Sequence, residues 1–452
     1  MKKSVISLSL VVVVVIAVIG LMAFAGISPA YIYRAPGVAT GIGSKLLCSS
    51  YFVTGFSQQQ SIDDLVQYSP LLEILDIEID QDQRIVQTSF LGLSTKTATM
   101  LDGLGCAVDY PSHPQRTAIT VKNLTASDAP WPKGDRVDTV VANLQRLVES
   151  QVSLDNELGL NTRALLVVKS GAIVAEAYAQ GANAATPLLG WSMAKSLTSV
   201  MLGNLEMRGQ IDLDTKPDFS NWIGDSRMDI TITNLLTMTD GLDFSEDYNP
   251  GDDATTMLFT SPSASEFTLA KALAHKPGSY FNYSSGTANI LARIYTDALG
   301  GVQPAYDNYM DQIAAPLGFQ NAVFEVDASG VFFGSSYLYA SARDWARLGE
   351  MMVSGGTING QRLVSEEWVA RATRPNESEN FKSYGFQWWL NRGNAELRWP
   401  ELPEDAYAAN GNRQQSLMII PSEELVLVRL GWTAGRYPVN ERFSEILRAT
   451  TN

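Results

Sequence analysis

Ser192 and Lys195 stand three residues apart in the run Gly190-Trp191-Ser192-Met193-Ala194-Lys195. On a helix, residues three apart share a face, so the hydroxyl and the amine can meet. A serine hydroxyl is a weak nucleophile until a base takes its proton. A lysine becomes such a base when burial or a second cation lowers its pKa. A helix that starts at the serine also presents backbone N–H groups where an oxyanion would form. The tetrapeptide alone carries little weight, and its bland reading is a surface serine and lysine. Two further segments add to it. Tyr283 follows the turn Lys276-Pro277-Gly278 and precedes Ser284-Ser285-Gly286, where a helix begins. A tyrosine there can shuttle a proton between the serine and a leaving group, with Lys195 expected to depress its pKa. Asn412, in Ala409-Asn410-Gly411-Asn412, leads into a C-terminal strand that can offer a second backbone N–H to the oxyanion.

Other chemistries fit less well. The only histidines are His113 and His275, and the only cysteines are Cys48 and Cys106. A zinc site draws three or four ligands from His, Cys and carboxylates, so a zinc hydrolase is not expected, and no metal or organic cofactor is called for. Gly190-Trp191-Ser192-Met193-Ala194 comes close to the G-x-S-x-G elbow. That reading needs an acid and then a histidine downstream, and His275 before the Pro277-Gly278 turn suits a structural or rim role better. The net charge of −15 repels phosphate backbones, which argues against nucleic-acid binding.

These residues need elements to hold them. Ala164 to Lys169 and Ala172 to Glu176 flank Ser170-Gly171, a two-residue hairpin turn. Gln415 to Ile420 and Leu425 to Leu430 flank Pro421 to Glu424 as a second hairpin, and a helix is expected over about 440–449. Strands at both ends with helices between imply an α+β fold for 136–452, an antiparallel sheet flanked by helices with an inserted helical region. Residues 31–135 read as a small β-rich region and linker, with alternation in Leu75 to Ile79 and Arg84 to Thr88. Lys2 and Lys3 precede an uncharged stretch ending before Arg34. About 20 apolar residues suffice to cross a bilayer, so residues 4–27 are expected to form a transmembrane helix with the rest outside. Cleavage near Ala23-Phe24-Ala25 would release the protein instead. Either outcome places the body of the chain in the periplasm or outside the cell. There Cys48 and Cys106 are expected to form one disulfide, with two unlinked buried thiols as the alternative.

Ordered segments resemble the serine β-lactamase and penicillin-binding-protein superfamily, in the class C β-lactamase-like branch with family VIII esterases and 6-aminohexanoate-dimer hydrolases. They are Gly190 to Ser196, Leu235 to Leu242, Pro277 to Gly286, Ala342 to Gly349 and Tyr384 to Trp389. The resemblance spans Asp138 to the C-terminus. It implies Ser192 as the acylated nucleophile, Lys195 and Tyr283 as the acid/base pair, and the backbone N–H groups of Ser192 and Asn412 as the oxyanion hole. Ser285 would occupy the third position of the tyrosine motif and face substrate. Penicillin-interacting members carry Lys-Thr-Gly or His-Thr-Gly where this chain has Ala409-Asn410-Gly411. With no cation there to grip a β-lactam carboxylate, an ester or amide substrate is favoured over a β-lactam or D-alanyl-D-alanine peptide. The contrasting class is a catalytically silent sensor or scaffold on the same fold. Tyr248 in the acidic loop Ser245-Glu246-Asp247-Tyr248, and Trp388 among Trp191, Trp388 and Trp389, are candidate substrate contacts.

Overall fold

The computed structural model describes residues 29–113, 118–124, 127–138 and 140–451, with residues 29 and 30 as backbone only. The Ser170-Gly171 dipeptide turns at φ 47° and 78°, the left-handed pair that a tight hairpin needs, and joins strands Thr162–Lys169 (β5) and Ala172–Tyr178 (β6). The C-terminal hairpin pairs Gln415–Ile420 with Leu425–Gly431. Strand Leu425–Gly431 then pairs antiparallel with β5, so the two ends of the domain close one six-stranded sheet. Strands Tyr407–Gly411 and Trp389–Leu390 extend it on the C-terminal side. Helix Ala142–Glu157 (α3) and helix Val439–Thr450 pack together on one face. On the other face lies helix Met193–Met207 (α4), buried on every side from Met193 to Leu205. A helix buried all round belongs in the centre of a domain, and α4 is wedged between the sheet and the inserted helices, its polar residues Lys195, Ser196, Thr198 and Asn204 buried with the rest. A mixed fold with antiparallel sheets is therefore what the strand periodicity implied.

The N-terminal region departs from expectation. Its four strands, Asp76–Asp80 (β1), Ile85–Phe90 (β2), Ser94–Leu101 (β3) and Gly105–Val108 (β4), do form an antiparallel meander. It begins, however, with helices Pro29–Cys48 (α1) and Gln58–Tyr68 (α2). Pro36 and the glycines 37, 41 and 43 hide α1 in the sequence, because they read as breakers. Packing overrides that propensity: a Cβ on Gly41 would come within 2.2 Å of the Phe259 carbonyl oxygen, and one on Gly43 within 2.6 Å of Leu75. The region is thus α+β and not merely β-rich. The expected transmembrane helix also needs correcting. Its residues 4–27 lie outside the described residues, and among the described residues no helix is long and apolar enough to cross a membrane. The longest candidate, α1, carries a buried lysine and packs on β2 and β3.

Two covalent and ionic ties fix α1 in place. Cys48, its last residue, is disulfide-bonded to Cys106 on β4. Lys45 Nζ forms a buried ion pair with Glu325 of the main domain. Glu325 also accepts hydrogen bonds from Ser49 Oγ and the Cys106 N–H, each at 2.7 Å. Burial pushes the Glu325 carboxyl up, and Lys45 opposes that shift. Removing one member of such a pair leaves an uncompensated charge indoors. Lys45→Met is therefore expected to lower the unfolding free energy by about 3–5 kcal/mol in urea titrations. Adding Glu325→Gln should restore part of the loss. A change below about 1 kcal/mol in the single variant would contradict the assignment.

Candidate active site

Ser192 sits at the head of α4, half-buried, where the Met193, Ala194 and Lys195 N–H groups close a tight turn on the carbonyls of Gly190, Trp191 and Ser192. The turn before it is strained: Trp191 adopts φ 48°, a left-handed conformation that costs a non-glycine residue about 1–3 kcal/mol. Its ring holds the turn by stacking on Tyr68 at 5.9 Å and Trp432 at 6.2 Å. Trp191 is thus a core aromatic and does not line the cavity.

One helical turn on, Lys195 is buried, with Nζ 3.0 Å from Ser192 Oγ, 3.0 Å from Ser285 Oγ and 3.1 Å from the Ser335 carbonyl oxygen. Desolvation pushes the amine down to about 8, against a smaller upward pull from Glu246. The partners also fix which way the protons point. The Ser335 carbonyl can only accept. The Ser285 hydroxyl donates to Glu246 Oε1 at 2.5 Å, so it too must accept from Nζ. A neutral amine has two N–H donors and one lone pair, and the lone pair is left facing the Ser192 hydroxyl.

Tyr283 is hydrogen-bonded to Ser192, and Lys195 Nζ lies 4.9 Å from its ring centre. The expectation that Lys195 depresses this phenol is overturned. Burial and the nearby Glu246 carboxylate push it above its ordinary value. The tyrosine therefore stays protonated around neutral pH and presents a hydroxyl to the cavity. Tyr283 is set by its neighbours: the Asn282 N–H donates to the Met238 carbonyl, and Asn282 Nδ2 donates to the Phe244 carbonyl at 3.0 Å. The same bonds tie the loop bearing Glu246 to the tyrosine turn.

Strand Tyr407–Gly411 brings Asn412 to the far side of Ser192. Its approach is close: a Cβ on Gly411 would come within 2.1 Å of the Gly190 carbonyl oxygen. Ser192, Tyr283 and Asn412 all line one open cavity of about 510 Å³, with Glu246, Tyr248 and Trp389.

The Beta-lactamase family profile matches residues 142–444. The chain belongs to the β-lactamase family. It is 25% identical over 303 residues to a 6-aminohexanoate-dimer hydrolase of Paenarthrobacter ureafaciens, covering 60% of this chain and 72% of that protein. Among solved structures it superposes on a protein assigned as a 6-aminohexanoate-dimer hydrolase from Bacillus anthracis with a TM-score of 0.56, at 22% identity over 66% of this chain and 80% of the other. A family VIII carboxylesterase gives a TM-score of 0.53 at 15% identity, over 70% and 99% of the two chains. These structural likenesses speak for the fold.

Within this β-lactamase-family site, three sequence expectations need revision. Ser285 does not face the cavity; it is fully buried as the link between Lys195 and Glu246. Trp388 is also buried, edge-on to Tyr407, and its neighbour Trp389 takes the cavity wall, stacked on Tyr283 at 5.0 Å. Trp389 opens the edge strand Trp389–Leu390, and Trp388, the residue before it, turns into the core. A cation is present after all: Arg398 lies over the Trp389 ring at 4.2 Å and lines the cavity, although Ala409-Asn410-Gly411 contributes none. Tyr248 does line the cavity and donates to Glu246 Oε1 at 2.9 Å. His275 is exposed and stacked on Tyr280, away from the site. Glu246 itself was not singled out, because one acid in an acidic loop carries no spacing signal.

The Gly411 contact gives a direct test. Gly411→Ala is expected to push Asn412 away from Ser192 and lower the rate of Ser192 acylation about 100-fold, the usual cost of one oxyanion donor, with an unchanged circular dichroism spectrum. Acylation at the unmodified rate would contradict that placement of Asn412.

Proposed function

We propose that the chain hydrolyses an ester or non-peptide amide bond through an acyl-enzyme on Ser192. The observation that carries this is the 3.0 Å contact between the Ser192 hydroxyl and a buried lysine whose amine is pushed down to about 8. Ser192 Oγ attacks the carbonyl and passes its proton to Lys195 Nζ. The oxyanion is held by the N–H groups of Ser192 and Asn412. The Tyr283 hydroxyl hands a proton to the leaving oxygen or nitrogen and recovers one from Lys195. Water then attacks the acyl-serine and gives its proton to the same base, which returns it to Ser192 Oγ as the acyl C–O bond breaks and the acid leaves. The relatives support this range of substrates, since one is named for a dimer of an amino acid and another as a carboxylesterase. The Cys48–Cys106 disulfide supports an oxidising compartment outside the cytoplasm.

Arg398 favours a second reading, β-lactam hydrolysis, because it supplies a cation that could meet a β-lactam carboxylate. A fluorophosphonate probe and two chromogenic substrates separate the cases. The purified protein is expected to be labelled, Ser192→Ala is not, and short nitrophenyl esters are turned over faster than nitrocefin. Equal labelling of Ser192→Ala, or none of either protein, would leave only the silent scaffold. Faster turnover of nitrocefin would favour the second reading.

A further inference from the structure

Tyr248 and Asn412 line the catalytic cavity, and both also line a second cavity of about 520 Å³. The wall of this second cavity comes from the N-terminal region. Ala35, Val38, Ala39 and Ile42 contribute one face of α1, at the i, i+3, i+4, i+7 spacing of a single helical stripe. Leu72 and Phe90 contribute more apolar surface. The stripe therefore faces a groove as well as the core beneath it.

The catalytic residues divide between the two cavities. Asn412, placed at the oxyanion, lines both, whereas Tyr283 and Arg398 line only the first. A carbonyl held between Ser192 and Asn412 has its leaving group beside Tyr283, the proton donor. Its acyl substituent then points the other way, past Tyr248 and Asn412 towards α1.

We propose that this second cavity is an acyl subsite and that the preferred substrates carry an extended unbranched aliphatic chain on the acyl side of the scissile bond. The inference rests on Ser192 being the nucleophile. It also gives the N-terminal region a task, since α1 supplies most of one wall of the subsite. The chain makes no polar demand there, and its burial is driven by removing methylenes from water.

The test is a chain-length profile on the full protein with nitrophenyl acetate, butyrate, hexanoate and octanoate. From butyrate onward kcat/KM is expected to rise, by up to about fourfold per methylene that enters the groove. Ala39→Trp fills the groove from α1 and should flatten that rise while leaving acetate turnover unchanged. Ala35→Trp, one turn earlier, is the second variant should the first not fold. Alkyl acetates lengthened on the alcohol side should show no comparable rise. A flat profile in the unmodified protein would mean that the cavity takes something else, a segment of protein included, and would overturn the proposal. So would a rise that survives both tryptophan variants, or one that appears on the alcohol side. Failure of the underlying hydrolase reading looks different: no ester is turned over at all, acetate included, and the fluorophosphonate probe does not label Ser192.

Discussion

The site depends on an amine kept out of water without a carboxylate in direct contact. Lys195 is buried, and its hydrogen-bond partners among the described residues are two hydroxyls and a carbonyl. A charged ammonium there has lost its hydration without gaining an ion pair, so the amine is pushed down to about 8 and the neutral form comes within reach of neutral pH. Glu246 acts one bond away. By accepting the Ser285 hydroxyl hydrogen bond it obliges Ser285 to accept from Lys195, and it leaves the lone pair of a neutral amine for Ser192. Burial holds the Tyr283 phenol protonated, and the same carboxylate adds to that shift. One acid thus sets the roles of three residues while staying out of contact with the lysine.

Lys45 shows the opposite arrangement. It is just as buried, but it meets Glu325 directly, and Glu325 is held further by Ser49 and the Cys106 N–H. That contact fastens α1 to the main domain. The difference between a structural lysine and a reactive one is therefore the presence of a carboxylate in contact, not the depth of burial. The fold imposes both. Helix α4 carries Lys195 into the core between sheet and helices, while the disulfide and ion pair hold α1 in place beside the second cavity.

Much of this was legible in the sequence where the signal was local. The hairpins at Ser170-Gly171 and Pro421 to Glu424 follow from alternation and turn chemistry, and Ser192 with Lys195 follows from helical spacing. Tyr283 and Asn412 came through turns and strands whose order resembled a known family. What stayed hidden was non-local. Helix α1 looked like a broken segment because its glycines serve close packing against Phe259 and Leu75. Arg398 reaches the cavity from eleven residues before Ala409, so inspection of the triplet alone missed the cation. Trp388 turns into the core and Trp389 to the cavity, a difference that adjacency in sequence cannot reveal. The Ser285–Glu246 bond joins residues 39 apart and has no periodic signature.

The central claim is that Lys195 is the base that activates Ser192. It is tested most directly by the pH dependence of the rate at which a neutral fluorophosphonate modifies Ser192. The account expects the rate to rise with pH through an apparent pKa of about 8, the value to which burial pushes the Lys195 amine. Because the Glu246 carboxylate pulls that value upward, Glu246→Gln should move the rise to lower pH. A rate that climbs only above about 10, where an ordinary lysine titrates, or one with no dependence on pH, would contradict the claim.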